Sequence, residues 1–342
     1  MSKTELYNSK ISIDNFSEID IQYWRDFVSE SDYGSFFQTD IFFNFLKETD
    51  YKPYVFLTKN NEGDILASTI AVLYSDGKGL KKLLSRRLII YGGPVFCKNC
   101  SINAVESHLI NLKTSLKDKT IYIETRNLSD YTNYKDAFIK CGFDYKLHLN
   151  YQVDCSNIDT VNQQISSSKK RQIKKSLKSG ASIIQADNLS QVREFYDILK
   201  ELYKTKVKTP LPQFSFFENF FYSSAGVYLL VEFNGKIIGG IMCPIFDKET
   251  IYEWYICGLD GVYKDIYPSV LATWAPIEYA CNNNISCFDF MGAGSPDKDY
   301  GVRDFKSKFG GELVEHGRFI YICKPLLFKI GELGIKILKK LK

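Results

Sequence analysis

Hydrophobic positions along the chain fall into two similar series. In YVFLTKNNEGDILAST (54–69) an apolar run, an Asn-Glu-Gly turn and a second apolar run read as a β-hairpin, and VYLLVEFNGKIIGGIM (227–242) repeats this around Asn234-Gly235. Asn-Gly between two apolar runs is the strongest short hairpin signal, because both residues accept positive φ. Gly63 and Gly235 lie 172 residues apart. Each hairpin leads to a helical stretch and then a short apolar strand, TIYIET (120–125) and SCFDFMG (286–292). A short helix ending in Gly and a last strand follow in both. Aligning AFIKCGFDYKLHLNYQVD (137–154) with FKSKFGGELVEHGRFIYI (305–322) superposes Gly142 on Gly310 and His148 on His316, an offset of 168. Two offsets near 170 predict one mixed α/β unit used twice.

The join falls where polarity rises. SNIDTVNQQISSSKKRQIKKSLKSGASIIQ (156–185) reads as a basic helix that ends at Gly180, a C′ position, before a β-rich stretch. Pro210 and Pro212 end the next helical run (190–207), so 208–215 is expected to be a loop. The expected domains are therefore 1–155, 156–322 and a basic amphipathic tail, 323–342. In that tail Leu326, Ile330, Leu333, Ile337 and Leu341 recur at helical spacing, with Lys329, Lys336, Lys339, Lys340 and Lys342 on the other faces. Such a helix suits an anionic membrane surface, or equally a packed helix with a solvated lysine face.

A chain of 342 residues exceeds one core, in agreement with two units. Lys+Arg 44 against Asp+Glu 40 gives a net charge of +4, too small by itself to imply nucleic-acid binding. The polar N-terminus offers no export signal and no apolar run is long enough to span a bilayer, so a cytoplasmic location with reduced thiols is expected. Among nine scattered Cys, Cys97-x-x-Cys100 has no second pair at finger-like spacing; we read it as a loop pair and expect no metal. Aromatic residues make up 15%, enough to line a groove as well as fill cores.

Four stretches carry a resemblance: SFFQTDIFFNFLK (35–47), RRLIIYGGPVF (86–96), SKKRQIKKSLKSGASI (168–183) and FDFMGAG…YGVRDFKSKFGGELVEHGRFIYI (288–322), the last most specific at Phe305-Lys306 and Phe309-Gly310-Gly311. In order and spacing the chain resembles the FemAB/FemX family of bacterial transferases, a doubled acetyltransferase-like (GNAT) fold, in its shorter branch without a helical arm. The resemblance implies tandem α/β domains with central mixed sheets flanked by helices. It also implies transfer of an amino acid from aminoacyl-tRNA to an amine of a peptidoglycan or lipid-linked envelope precursor, without a bound cofactor. Peripheral contact with the inner face of the membrane would suit such an acceptor. An acyl-CoA-dependent N-acyltransferase acting on an amino sugar is the alternative. Against it, GLDGVYKDIYPSVLATW (258–274) places Tyr267-Pro268-Ser269 where a pyrophosphate loop needs glycines. A non-catalytic tRNA- or membrane-binding module is the third reading.

The resemblance also nominates residues. Lys306, between Phe305 and a Gly-terminated turn, is the expected catalytic group, a cation for the oxyanion that develops in acyl transfer. Lys47, Tyr91, Gly92, Gly93, Arg171, Tyr255 and Phe305 are the expected substrate-binding residues, with Tyr91, Tyr255 and Phe305 lining a cleft. Each also has a plain reading: solvated lysines, a strand-end turn at Gly92-Gly93, core packing for Tyr255. Arg171, Lys174, Lys175 and Lys178 share one helix side and form a ridge for a tRNA backbone or pyrophosphate. On TIYEWYICG (250–258), taken as one strand, Tyr252 and Trp254 share a face and Tyr255 points opposite. Within 208–221 the Arg and Tyr of the family's acceptor-facing segment are absent, which leaves the acceptor open.

Overall fold

A computed structural model describes residues 8–12, 20–75, 77 and 79–340. Its strands are β1 (Asn8–Ser12), β2 (Lys52–Lys59), β3 (Ile65–Tyr74), β4 (Arg87–Gly92), β5 (Val95–Phe96), β6 (Tyr122–Asn127), β7 (Asp144–Lys146) and β8 (Leu149–Asp154). They continue with β9 (Ser182–Gln185), β10 (Gly226–Phe233), β11 (Lys236–Phe246), β12 (Thr250–Tyr252), β13 (Tyr255–Gly258), β14 (Cys287–Asp289), β15 (Glu312–Glu315) and β16 (Arg318–Ile322). Both predicted hairpins form. At the second, Asn234 and Gly235 take φ of 52° and 71°, a two-residue turn with both centres left-handed. At the first, Asn60 Oδ1 accepts from the Glu62 and Asp64 amides and closes a longer loop.

Two sheets share one strand order. The first runs β1-β2-β3-β4-β6-β16-β7 with β5 beside β3; the second runs β9-β10-β11-β12-β14-β8-β15 with β13 beside β11. β16 pairs antiparallel with both β6 and β7, while β8 pairs antiparallel with both β14 and β15. The last strand of each copy therefore completes the other copy's sheet. The chain accordingly divides into 1–147 with 316–342, and 148–315. The expected boundaries at 155 and 322 differ from this by those exchanged strands. A strand at the end of a repeat looks the same in sequence whichever sheet receives it.

In the first unit the Ile102–Leu116 helix, capped by Ser101 Oγ on the Ala104 amide, buries Val105, Leu109, Leu112 and Leu116 against Leu88, Ile90 and Ile123. In the second, the Pro268–Asn283 helix begins on proline and buries Leu271, Ala275 and Ile277 over Ile238, Ile241 and Phe288. Gly180 ends the Ser167–Lys178 helix at φ 96°, and a helix at Phe214–Tyr222 follows the proline loop. The Pro325–Lys340 helix forms as expected, with Phe328 edge-on against Tyr122 at 5.4 Å.

Candidate active site

The second sheet is forked where the first is closed. In the first unit β4 and β6 run parallel over six paired positions, from Arg87↔Tyr122 to Gly92↔Asn127. In the second, β12 pairs with β14 over three, ending at Tyr252↔Asp289. β11 then shifts register by one residue, pairing Ile245 with Ile251 but Met242 with Tyr255, so Glu253 and Trp254 form a break and β13 continues apart from β14. The single strand expected over 250–258 is thus two, because the break is set by the register in which β11 pairs with it, which the run itself does not record. Glu253 stands at the fork, its amide donating to Asp289 O at 2.9 Å.

Lys306, from the short Gly301–Ser307 helix, reaches this fork and is 7% exposed. Its ammonium lies 2.7 Å from Glu253 Oε1 and donates to Phe290 O (2.8 Å) and Gly292 O (2.9 Å), so its three N–H groups meet three acceptors. Burial pushes the Glu253 carboxyl above its ordinary range, and Lys306 opposes that rise. The segment receiving Lys306 is unusually turned: Met291, Gly292 and Gly294 have φ of 53°, 131° and 80°. It is tied down by Asp289, which accepts from the Met291 amide, Asn150 Nδ2 and Gln152 Nε2, and by Arg303, which donates from Nε to Ala293 O and from Nη2 to Ser295 O. The result is a buried acid–base pair at an opened sheet edge. Glu253, Asp289, Asn150 and Gln152 were not among the sequence candidates; a carboxylate inside the otherwise apolar TIYEWYICG was the available signal for Glu253.

The other nominated residues fall in several settings. Phe305 lies under the buried Lys169 ammonium, 4.0 Å from its ring centroid, with Phe309 at 5.4 Å. Burial, with Lys308 nearby, holds the Lys169 pKa below its usual range. Tyr255 packs with Phe217 (5.1 Å), Phe216 (6.0 Å) and Tyr203 (6.3 Å). Arg171 is exposed on its helix, as are Lys174 and Lys178, whereas Lys175 meets Asp265 at 2.7 Å.

In the first unit Lys47 is exposed, 5.9 Å from the Phe43 ring. Gly92 and Gly93 have φ of 80° and 84°, and added Cβ atoms would strike Ser35 Oγ and Tyr131 Oη. Close approach there is made by the protein's own side chains. Gln38 holds Tyr91 in place, donating from Nε2 to Tyr91 O at 2.7 Å. Tyr91 itself packs on Phe37 (5.3 Å), with Arg126 5.3 Å from its ring centroid.

Where a pyrophosphate would meet the Pro268–Asn283 helix, the Ser269 amide already donates to Asp260 Oδ1 at 3.1 Å. That carboxylate would repel a diphosphate. Among the described residues no group of three His, Cys, Asp or Glu side chains could hold a metal, and no helix is long and apolar enough to cross a membrane.

Two sheets of identical strand order, the second forked, define a tandem acetyltransferase-like (GNAT) fold. A tandem GNAT protein from the clavulanic acid biosynthesis pathway superposes with a TM-score of 0.58 at 7% identity, covering 93% of this chain and 99% of that one. FemX superposes with a TM-score of 0.70 at 16% identity, covering 91% and 98%. The C-terminal domain of an Agrobacterium fabrum protein described as a lysylphosphatidylglycerol synthetase gives 0.55 at 12% identity, covering 92% and 95%. The chain is FemAB/FemX-like: residues 234–336 match the FemAB family model. This stretch contains the fork and Lys306. No curated protein matches the chain. Fold and family match together support a transferase.

Proposed function

We propose that the protein is an aminoacyltransferase that moves an amino acid from aminoacyl-tRNA to an amine of a peptidoglycan or lipid-linked envelope precursor. The observation that carries this reading is the Lys306–Glu253 pair at the fork of the second sheet. The amine nitrogen attacks the ester carbonyl carbon, the C–N bond forms, and the C–O bond to the ribose oxygen breaks. Glu253, its carboxyl already raised by burial, receives the proton that the amine must lose, and that proton then passes to the departing ribose oxygen. The Lys306 ammonium offsets charge on the tetrahedral oxygen. Likeness to FemX and to a lysylphosphatidylglycerol synthetase supports an aminoacyl donor. Asp260 on the Ser269 amide argues against the pyrophosphate of CoA at that helix.

The test presents purified protein with labelled aminoacyl-tRNA or acyl-CoA, together with lipid-linked precursors. Incorporation is expected from the tRNA, and incorporation from CoA alone would overturn the proposal. Lys306→Met is expected to slow transfer by about tenfold to a thousandfold, the scale of one lost oxyanion stabiliser. A full rate in that variant removes Lys306 from the mechanism, and no incorporation from either donor by the unaltered protein favours a binding module.

A further inference from the structure

Three helices of the second unit each turn a stripe of side chains into one groove of about 520 Å³. The Ile158–Gln164 helix supplies Ile158 and Asn162, with Ile165 just beyond its end. The Ser167–Lys178 helix supplies Lys170, Ile173, Lys174 and Leu177. Trp274, Glu278 and Asn282 come from the Pro268–Asn283 helix. Spacings of three and four keep each set on one helix face. Ile165, Ile173 and Trp274 are buried and form the floor, whereas Ile158 and Leu177 stand at the lip, 37% and 42% exposed. A concavity of about 300–1,000 Å³ with mostly apolar walls and a few polar groups has the form of a small-molecule site. It shares no residue with the Lys306 fork.

The polar groups of this groove are unengaged. Trp274 is 6% exposed, yet its indole N–H donates to no acceptor among the described residues. A buried indole N–H ordinarily has one. Lys170 and Lys174, one turn apart, make no ion pair or hydrogen bond among the described residues, whereas Lys175 of the same helix meets Asp265. Glu278 is the one carboxylate lining the groove, so two lysines leave it positive. An anionic head suits those lysines, and an aliphatic chain suits the isoleucines and Leu177. The tail of a second copy fits poorly, because Lys329 and Lys336 would bring like charge. A nucleobase fits poorly as well, since stacking needs an open aromatic face and Trp274, the one aromatic lining residue, is largely buried.

We propose that this groove binds a single-chain amphiphile with an anionic head, a phosphate or a carboxylate. Its chain lies along Ile158, Ile165, Ile173 and Leu177, its head meets Lys170 and Lys174, and Trp274 donates to one of its oxygens. The site gives the second unit a means of holding a lipid chain that does not depend on the C-terminal helix. It goes beyond the transfer reading above and does not rest on it, since neither the donor ester nor the acceptor amine enters the groove.

The test titrates the full chain calorimetrically with decyl phosphate, decanoate, decanol, inorganic phosphate and adenosine monophosphate, each below the concentration at which it aggregates. Saturable binding of decyl phosphate or decanoate is expected, and the tighter of the two identifies the head. Decanol, inorganic phosphate and the nucleotide should bind at least about tenfold more weakly. Shortening the preferred chain to eight carbons should weaken it about fourfold or more, because each buried methylene contributes up to about fourfold. Lys170→Gln together with Lys174→Gln, both at exposed positions, should weaken the anion about tenfold and leave decanol unchanged. Diazirine analogues of decyl phosphate and decanoate, photolysed on the unaltered protein and mapped by mass spectrometry, should label 158–177 and 274–282. Labels confined to 326–333, where the C-terminal helix also exposes an apolar face, would overturn the proposal. So would the absence of saturable binding, equal affinity for decanol or inorganic phosphate, tighter binding of the nucleotide, or an unchanged affinity in the lysine variant. If that variant does not fold, the label pattern of the unaltered protein decides. Because no transfer is measured, a failed site and a failed transfer reading are separate outcomes.

Discussion

Lys306 engages all its donors within the protein, and this has a consequence for stability that a solvated catalytic lysine would not have. Lys306→Met would strand the buried Glu253 carboxylate and leave Phe290 O and Gly292 O without their donor. Removing one partner of a buried pair costs about 3–5 kcal/mol. By calorimetry the variant should melt roughly 6–15 °C lower. Adding Glu253→Gln should return part of the loss, since the stranded charge is gone; no recovery would contradict the pairing.

Glu124 gives a pH test with a definite sign. Burial pushes its carboxyl up, but the charges and hydrogen bonds of Arg126 and Arg318 outweigh this, and the net shift is below the ordinary 4.5. The folded state then holds fewer protons than the unfolded one. Its stabilisation is present above about pH 4.5 and fades as pH falls through the folded value. Urea midpoints of the unaltered protein and Glu124→Gln should converge on acidification; a constant gap would show that Glu124 does not titrate in this range. A third residue is distinguished by reactivity. The neighbouring Cys100 side chain lowers the Cys97 pKa to about 7, whereas burial raises Cys155, Cys243 and Cys257. Iodoacetamide should label Cys97 first, with a rate rising through pH 7. Equal labelling of the other thiols would show that Cys100 does not activate Cys97.

At the scale of elements, the exchange of β8 and β16 determines which pieces of chain can fold. A fragment ending at 155 lacks β16, so β6 and β7 lose the strand between them and their ladder groups are left open. A fragment spanning 148–315 keeps every strand of the second sheet. The latter should unfold cooperatively in urea and the fragment 1–155 should not; the reverse result would refute the exchange. What the sequence showed and what it concealed follow the same division between local and distant interactions. Asn234-Gly235 and Gly180 act through their own backbone angles, and their turns were readable. Gly142 and Gly310, aligned from sequence alone, both take left-handed angles, 87° and 84°. The strand exchange and the meeting of Arg126 with Arg318 depend on pairings across more than 100 residues, and the bulge at Glu253 on the register in which β11 meets β12 and β13; no local pattern records either. Lys306 was found through a motif, while its pairing with Glu253 emerges only where β12 and β13 separate.

For the molecule as a whole, the open question with a physical handle is the membrane. The Pro325–Lys340 helix is anchored by Phe328 against Tyr122, yet Leu326, Ile330 and Leu333, one face at spacings of four and three, are 78%, 52% and 58% exposed. Side chains beyond Leu333 lie outside the described residues, but the sequence adds Lys336, Lys339, Lys340 and Lys342 after the Lys329 already noted. Burying three such apolar side chains in a headgroup boundary contributes at most about 1.5–3 kcal/mol each, and each lysine near an anionic surface about 1 kcal/mol. The two contributions are comparable, so neither alone should hold the protein to a bilayer. Co-sedimentation is therefore expected with vesicles containing phosphatidylglycerol and not with purely zwitterionic ones. Leu326→Ser, Ile330→Ser and Leu333→Ser together should abolish it while keeping every charge, and removal of 325–342 should do the same. Exposed substitutions of this kind leave the β6–β16 sheet untouched, so transfer to a water-soluble precursor should persist in the triple variant while transfer to a lipid-linked one falls. Unchanged sedimentation in both variants would assign the tail to packing, with its lysines solvated.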